Sequence, residues 1–530
     1  MGDISAPNPV EFNHFTHVRK QLFINSGLLG VSRFLSTCTS LVTVPVVLSR
    51  LGLSGYGSWE SMMAIALLVT VFQTTISGTL VWKMSTAWGN NDLSEIRRLM
   101  RVGIGVVLVM FALVTPLAWA MRYQLVDLSN PPVLYRDAAL WVIPILVSQT
   151  TLGAAGETFA AVLIAHQRAG ITTLIQTAAL MANCGFVIIG LLHGWQVWSL
   201  LLGNTVGVIA AIAGQYLAVV RICGIANLQP CLPDWEEAKP LLGYAGFLAL
   251  GQISIALRDQ TDKLVLARMG STVWTAWFGL ASRLASLALT MCSFFYVPLV
   301  SAVAALAARG DWIGVRRIYA NTMIVMPFLA GAFVVLVAST YDRLLMMWIG
   351  RSVPQVGPIL FILLFGNITA VVLTGVGSSL CKGIGKVSIE TTYIVICVVA
   401  NVILKLILTP WLGPIGAVLS SAGSWALGSI VFVILLHRAV ELPNIAIRAA
   451  AMIPVMFVTV MITRVLTGFV PASTTRWQAS MAAACIGFSS VAIFSVLLVA
   501  TRILPWATLR RSGAAFQAFA SARLGVRYGV

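Results

Sequence analysis

The stretch that most constrains this chain is its first long apolar run, Leu22 to Arg50. At 1.5 Å of rise per helical residue, about 28 residues cross a bilayer with some tilt. Near the middle of the run stands Arg33. An arginine at that depth costs about 2.5–3.5 kcal/mol on insertion scales, so it is expected to face a watery or protein-lined interior and not lipid. Ser26, Arg33, Ser36, Thr37 and Ser40 follow helical spacing and predict one polar stripe. The first helix is therefore expected to line a polar cavity inside a membrane bundle.

The remaining chain agrees with that reading. Of 530 residues, 59% are hydrophobic and 10% charged, and the mean hydropathy of +0.93 lies far outside the soluble range. The apolar segments run on for about 20 residues instead of alternating over about 10, which predicts helices and not a barrel. An all-α polytopic membrane protein of fourteen spans is expected, at 22–49, 57–83, 102–122, 138–165, 171–193, 197–220, 241–268, 272–301, 318–338, 357–380, 388–408, 416–436, 449–469 and 479–500. Lys and Arg divide roughly 20 to about 8 between the two sides when both termini are cytoplasmic, the orientation that the positive-inside rule selects. The inner set includes Arg19, Lys20, Arg97, Arg98, Arg101, Arg316, Arg317, Lys382 and Lys386.

The net charge of +17 is scattered between apolar runs, where it reports topology and anionic lipid; nucleic acid is not an expected partner. The eight cysteines form no CxxC pair and fall mostly within apolar runs, so they read as small buried residues and no metal site is expected. About twenty polar residues precede the first span, which is expected to act as an uncleaved anchor.

Internal repetition says more than any single residue. Leu48-Ser49-Arg50-Leu51-Gly52 returns as Leu266-Ala267-Arg268-Met269-Gly270, and Asp92-Leu93-Ser94-Glu95-Ile96-Arg97-Arg98-Leu99 returns as Asp311-Trp312-Ile313-Gly314-Val315-Arg316-Arg317-Ile318, at nearly one offset. The two matches argue for a duplication. Each repeat holds six spans, so both halves run the same way through the membrane, with a polar pathway between them. The expected divisions are a cytoplasmic N-terminus at 1–21, an N-lobe at 22–220, a cytoplasmic linker at 221–240, a C-lobe at 241–436, two further spans within 437–500 and a basic tail at 501–530. The tail mixes arginines with Trp506 and Phe516 and reads as an interfacial helix or a disordered segment. The repeated segments led by Asp92 and Asp311 read as short capped cytoplasmic helices, which place Arg97, Arg98, Arg316 and Arg317 at headgroup level as topology anchors or as contacts for a lipid phosphate.

The eighth span repeats the pattern of the first. Gly279, Arg283, Ser286, Thr290 and Ser293 share a helical face, with Arg283 near the midplane. Two mid-membrane arginines, one per half, point to an anionic substrate group, for which a planar guanidinium donates paired hydrogen bonds; the alternative is neutralisation by a carboxylate. In span 7, Arg258 with Asp262 and Asp259 with Lys263 stand four residues apart, as local ion pairs or as a proton or sodium site or gate. Glu157 in span 4 has no evident partner in its own helix and reads as a proton carrier or a packing hydrogen bond. Asn367, Thr374 and Ser378 in span 10 read as cavity wall. Lys405, near the end of span 11, is expected to snorkel to the interface. A nucleotide-binding loop is missing, as are HExxH and GxSxG motifs, which argues against ATP hydrolysis and against enzyme classes built on them.

The run through Pro45 into Leu48-Ser49-Arg50-Leu51-Gly52 and Gly55-Tyr56-Gly57-Ser58-Trp59 resembles the polysaccharide transporters, the O-antigen (Wzx-like) flippases, of the multidrug/oligosaccharidyl-lipid/polysaccharide (MOP) exporter superfamily. Asp259-Gln260-Thr261-Asp262-Lys263, Arg268-Met269-Gly270 and Pro298-Leu299-Val300-Ser301 add to the likeness, which covers roughly residues 20–440. The resemblance implies a V-shaped, two-lobed transporter of the bacterial inner membrane. It would move an undecaprenyl-diphosphate-linked oligosaccharide outward by alternating access, with Arg33 and Arg283 on the diphosphate, without a cofactor and with or without H+ or Na+ coupling. The partners it implies are the lipid-linked oligosaccharide, membrane lipids and polysaccharide polymerase or export machinery. A lipid II-type flippase, a cation-coupled drug antiporter, a membrane glycosyltransferase or polymerase, and a structural assembly partner are the alternatives.

Overall fold

The computed structural model describes residues 9–224, 252–254, 256–257, 260–440, 442–443, 445–469 and 475–503, all of their regular structure helical. The chain forms two compact units, Met1–Ala276 and Trp277–Val530.

In the first unit α1 (Pro9–Leu68) is followed by α2 (Thr70–Gly89), α3 (Leu93–Ala120), α4 (Arg122–Ser129), α5 (Val133–Ala165), α6 (Ala169–Leu192), α7 (Val197–Cys223) and α8 (260–269). Spans 1 and 2 were expected to be joined by a short loop. Instead the only break in α1 is Gly52, at φ 70° and ψ −175°, a region that a residue without Cβ enters at little cost. Helix α5 is the axis of this unit, packing against α2, α3 and α7, while α1 packs on α6. Val142, Ile143, Leu146, Leu163 and Val162 of α5 are almost wholly buried. The helix is apolar all round because neighbours cover it on several sides.

The second unit contains α9 (Thr272–Ala308), which begins just before the unit boundary, then α10 (Trp312–Ile349), α11 (Val356–Ala370), a π turn (Val371–Gly375) and α12 (Val376–Gly383). It continues with α13 (Val387–Leu412), α14 (Pro414–Ala439), α15 (Ala446–Ala450), α16 (Met452–Thr467) and α17 (Arg476–Ala500). Helices α13 and α14 form an antiparallel pair turned at Gly413, α11 rests on α14, and α16 and α17 both pack against α10.

Among the described residues, eleven helices are long and apolar enough to cross a membrane, so the chain is a multi-pass, all-helical membrane protein. Half of expected span 7 (241–251, 255, 258 and 259) and the 225–240 and 504–530 segments lie outside the described residues. The Asp92 and Asp311 segments are not separate short helices. They are the first turns of α3 and α10, and the capping oxygens are where the sequence placed them: Asp92 accepts from Glu95 N at 3.0 Å and Asp311 from Gly314 N at 2.8 Å. A capped first turn satisfies otherwise orphaned amides, and nothing breaks the helix between that turn and the apolar run.

Candidate functional site

Two residues of the predicted stripe, Ser36 and Ser40, have described side chains on helix α1. Ser36 and Ser40 are half-buried on one face, while Thr39 and Thr43 bond back to Leu35 O and Thr39 O. Thr43 Oγ1 meets Cys184 Sγ of α6 at 2.9 Å. Thr43 lies three residues past Ser40 and seven past Ser36, so the Ser36–Ser40 face is itself turned toward α6, and the exposed Val31, Leu41 and Val42 stand on another. Arg33 lies on the helical backbone of α1, but its side chain and that of Thr37 fall outside the described residues.

In the second unit Arg283 is half-buried on α9 and engaged with a partner. Ser286 Oγ donates to the Arg283 carbonyl at 2.9 Å, and Asn367 Nδ2 of α11 approaches Ala285 O, between them in sequence, at 3.5 Å. The structure therefore sets Asn367 of α11 against the backbone of α9 in the turn that carries Arg283 and Ser286. Thr374 is buried within the π turn, its hydroxyl spent on Ala370 O at 2.6 Å, and Ser378 bonds Glu390 of α13 at 2.6 Å. The π turn advances the helix by one extra residue and turns these two away from the Asn367 face. Thr290 lies outside the described side chains.

Of the charged cluster of span 7, the described residues are Asp262 and Lys263. Lys263 Nζ donates to Glu60 Oε2 of α1 at 2.7 Å, an acid that the sequence reading passed over, and Asp262 beside it is 3% exposed. Arg258 and Asp259 lie outside the described residues. Around this pair the first unit is tied further by Asn130 Nδ2 to Ala267 O at 3.0 Å and by Arg268 to Asp127 O at 3.2 Å. Glu157 Oε1 accepts from Gln176 Nε2 of α6 at 3.1 Å, which makes it at least a link between α5 and α6. Another amide network was missed: Gln149 of α5 bonds both Thr205 and Asn204 of α7.

At the helix entrances Arg97, Arg98, Arg316 and Arg317 are exposed. Arg98 forms a surface pair with Glu95 at 3.3 Å. The Ser94 hydroxyl and the Glu95 amide, both donating to Asp92, hold its carboxyl below the usual range. Lys405 does not snorkel. It is 7% exposed and donates to Asn401 Oδ1 at 2.9 Å, because α14 covers the face from which it extends.

The last two helices add a site that no sequence motif announced. Between α10, α11 and α16 lies an apolar cavity of about 270 Å³, lined by Val334, Phe361, Leu364, Ile368, Met456 and Val460 and bordered by Arg464. Arg464 meets Asp342 and the Tyr341 hydroxyl, each at 3.3 Å, and its guanidinium lies over the Tyr341 ring at 4.7 Å. A second, larger apolar groove of about 760 Å³ runs between α10 and α17. Among the described residues no group of His, Cys, Asp or Glu is arranged to hold a metal ion.

This arrangement has counterparts in solved structures. The chain superposes on the lipid II flippase MurJ in an inward closed conformation with a TM-score of 0.65, over 90% of this chain and 100% of that one, at 14% identity. An inward-facing multidrug resistance MATE family transporter of the MOP superfamily gives 0.60, over 80% and 98%, also at 14% identity. The Vibrio cholerae MATE transporter VcmN, as a mutant, gives 0.57, over 82% and 99%, at 16% identity. The chain shares the fold of these three transporters. No family model matches the chain. In sequence it is 24% identical over 332 residues to a probable multidrug resistance protein NorM of Rhizobium meliloti, covering 57% of this chain and 66% of the relative, just under two thirds of that protein's length.

Proposed function

We propose that this MOP-fold protein is a transporter that carries a prenyl-diphosphate-linked oligosaccharide from the inner to the outer leaflet of a bacterial cytoplasmic membrane by alternating access. The observation that carries this reading is the pair of helices α16 and α17. They fold onto α10 and leave long apolar surfaces, one of them ending at Arg464. A lipid-linked anion needs that combination of an apolar channel for its tail and fixed cations for its head. The likeness to a lipid II flippase over 90% of the chain supports the same class of cargo.

In this reading Arg33 and Arg283 replace the hydration of the diphosphate while the tail stays in lipid. The ion pair of Glu60 with Lys263 holds α8 against α1 until the cycle releases it. Outward movement of an anion is favoured by an inside-negative potential at about 2.3 kcal/mol per charge per 100 mV, so ion coupling is not required. Both termini are cytoplasmic, and Arg97, Arg98, Arg316 and Arg317 meet anionic headgroups.

A drug antiporter is the second reading, favoured by the relative named as a probable multidrug resistance protein. The test is made in proteoliposomes with a labelled prenyl-diphosphate oligosaccharide. Wild type is expected to accelerate leaflet exchange, and Arg33→Ala with Arg283→Ala to fold but lose the acceleration. Extrusion of a cationic dye against a proton or sodium gradient without lipid exchange would replace the flippase reading by the antiporter.

A further inference from the structure

Helix α10 is apolar on two opposite faces. Val334 and Ala338 line the cavity that ends at Arg464, whereas Leu336 and Thr340, two residues further on and so about 200° round the helix, line the larger groove against α17. On α17 that groove follows Val491, Gly487, Ala484 and Ser480 at helical spacing. The run from Ser480 to Val491 rises about 16 Å, the depth of one leaflet in a hydrocarbon core about 30 Å thick. The two hydroxyls in the walls are spent on their own helices, Thr340 on Leu336 O at 2.7 Å and Ser480 on Trp477 O at 2.8 Å, so the groove presents apolar surface.

One turn before Ser480, on the same face of α17, stands Arg476. It is exposed and folds over the end of α10: a Cβ at Gly350, the left-handed residue at φ 75° that closes α10, would lie 2.8 Å from Arg476 Nη2. Arg351, also exposed, follows Gly350 directly. Trp477, beside Arg476, is 73% exposed, the placement of an aromatic residue at headgroup level. In α10, α16 and α17 Asp342 is the single acid, and Arg464 at 3.3 Å and Arg343 at 3.9 Å already share it. The end of the groove is therefore positively charged. In the orientation proposed above this is the outer end of the three helices, where the positive-inside rule keeps Lys and Arg scarce, so topology does not account for these arginines. A phosphodiester is matched by paired hydrogen bonds from guanidinium groups, whereas a zwitterionic headgroup brings an ammonium that they repel. A hydrocarbon chain is the part of such a molecule that gains by lying in the groove.

We propose that the groove between α10 and α17 holds an acyl chain of an anionic glycerophospholipid from the surrounding bilayer, its phosphate seated at Arg351 and Arg476. The lipid then acts as a strut that ties α17 to α10. This holds whichever substrate the protein carries.

The experiment uses the full chain purified in detergent and supplied with phosphatidylglycerol or phosphatidylcholine of the same acyl chains. Thermal unfolding and the lipid retained by the intact protein, weighed by mass spectrometry, are the readouts. Wild type is expected to keep one phosphatidylglycerol and to melt about 3–5 °C higher with it than with phosphatidylcholine. Arg351→Gln with Arg476→Gln is expected to lose the retained lipid and the difference, while melting as wild type does in phosphatidylcholine. Guanidinium groups that only close the end of α10 would instead lower the melting temperature in both lipids alike and leave the difference intact, which would overturn the proposal. Ala484→Phe, which fills the groove and leaves both arginines in place, is expected to lose the difference as well, and it decides the matter should the arginine variant not fold. Glycerol phosphate, which carries the charge without the chains, is expected to give no rise. An equal response of wild type to both lipids would overturn the proposal, as would a difference that survives in Ala484→Phe or a second copy of the chain retained in place of lipid. Release of the phospholipid by a prenyl-diphosphate lipid would also overturn it and give the groove to the substrate.

Discussion

Lys263 Nζ and Glu60 Oε2 stand 2.7 Å apart, joining helices 203 residues distant in the chain, with side-chain exposures of 17% and 9%. Burial makes the pair an asymmetric device: its net contribution is small, but either charge left alone is costly. Glu60→Gln is expected to destabilise the protein by about 3–5 kcal/mol, and Glu60→Gln with Lys263→Met to recover most of that loss. Thermal unfolding of the two single variants and the double variant measures the coupling. Additive losses would show that the pair is not coupled.

Arg464 borders the apolar cavity and lies over Tyr341. Arg464→Ala is expected to slow leaflet exchange of a prenyl-diphosphate lipid by about tenfold, a loss of about 1.4 kcal/mol. Arg464→Lys is expected to recover part of the rate, since it keeps the charge but not the planar fork. Exchange rates in vesicles, normalised to folded protein, distinguish the three.

His166 closes α5, its ring 4.0 Å from that of Trp88 and its Nδ1 2.8 Å from Val162 O. Burial pushes its pKa below the ordinary value, and the Arg168 charge pushes the same way against the Val162 hydrogen bond. The folded protein therefore takes up its proton at lower pH than the unfolded chain. The stability tied to neutral His166 is complete above about pH 6.5 and is lost as pH falls from there through the folded value. Melting temperature between about pH 7 and pH 5 is expected to decline less steeply in His166→Gln than in wild type. Equal slopes would remove His166 from the acid response.

Gly57 faces the backbone of Thr272 and Ala276, and a Cβ there would overlap the Thr272 carbonyl. Gly57→Ala is expected to cost about 3 kcal/mol through forced backbone separation. Gly89→Ala, at a glycine with open space around its Cβ position, is expected to leave the melting temperature unchanged within a degree or two. Folded yield and melting temperature of both variants test the contrast.

The membrane class, most spans and the two caps were legible because they rest on local patterns: apolar run length, and an aspartate three residues before an amide that needs an acceptor. What escaped depends on which helix lies opposite. Glu60, between Trp59 and Ser61, acquires meaning only when α8 brings Lys263 to it. Lys405 was read as a snorkelling residue because its distance from the helix end permits that, while only α14 decides that the route is closed. Asn367, Thr374 and Ser378 were assigned to one wall by regular helical spacing, and the π turn at Val371–Gly375 breaks that spacing. Of the two arginines, Arg283 is half-buried in a turn of α9 whose backbone meets Asn367, whereas the side chain of Arg33 lies outside the described ones.

The segments Asp92–Leu99 and Asp311–Ile318 share few letters, yet Asp92 accepts a hydrogen bond from the amide of Glu95 and Asp311 from that of Gly314. The bond is made by backbone on one side, so the residue that supplies the amide is free to drift while the oxygen is not. What the two segments hold in common is kept in the position of the acceptor, so two stretches that differ at most letters can still start their helices in the same way.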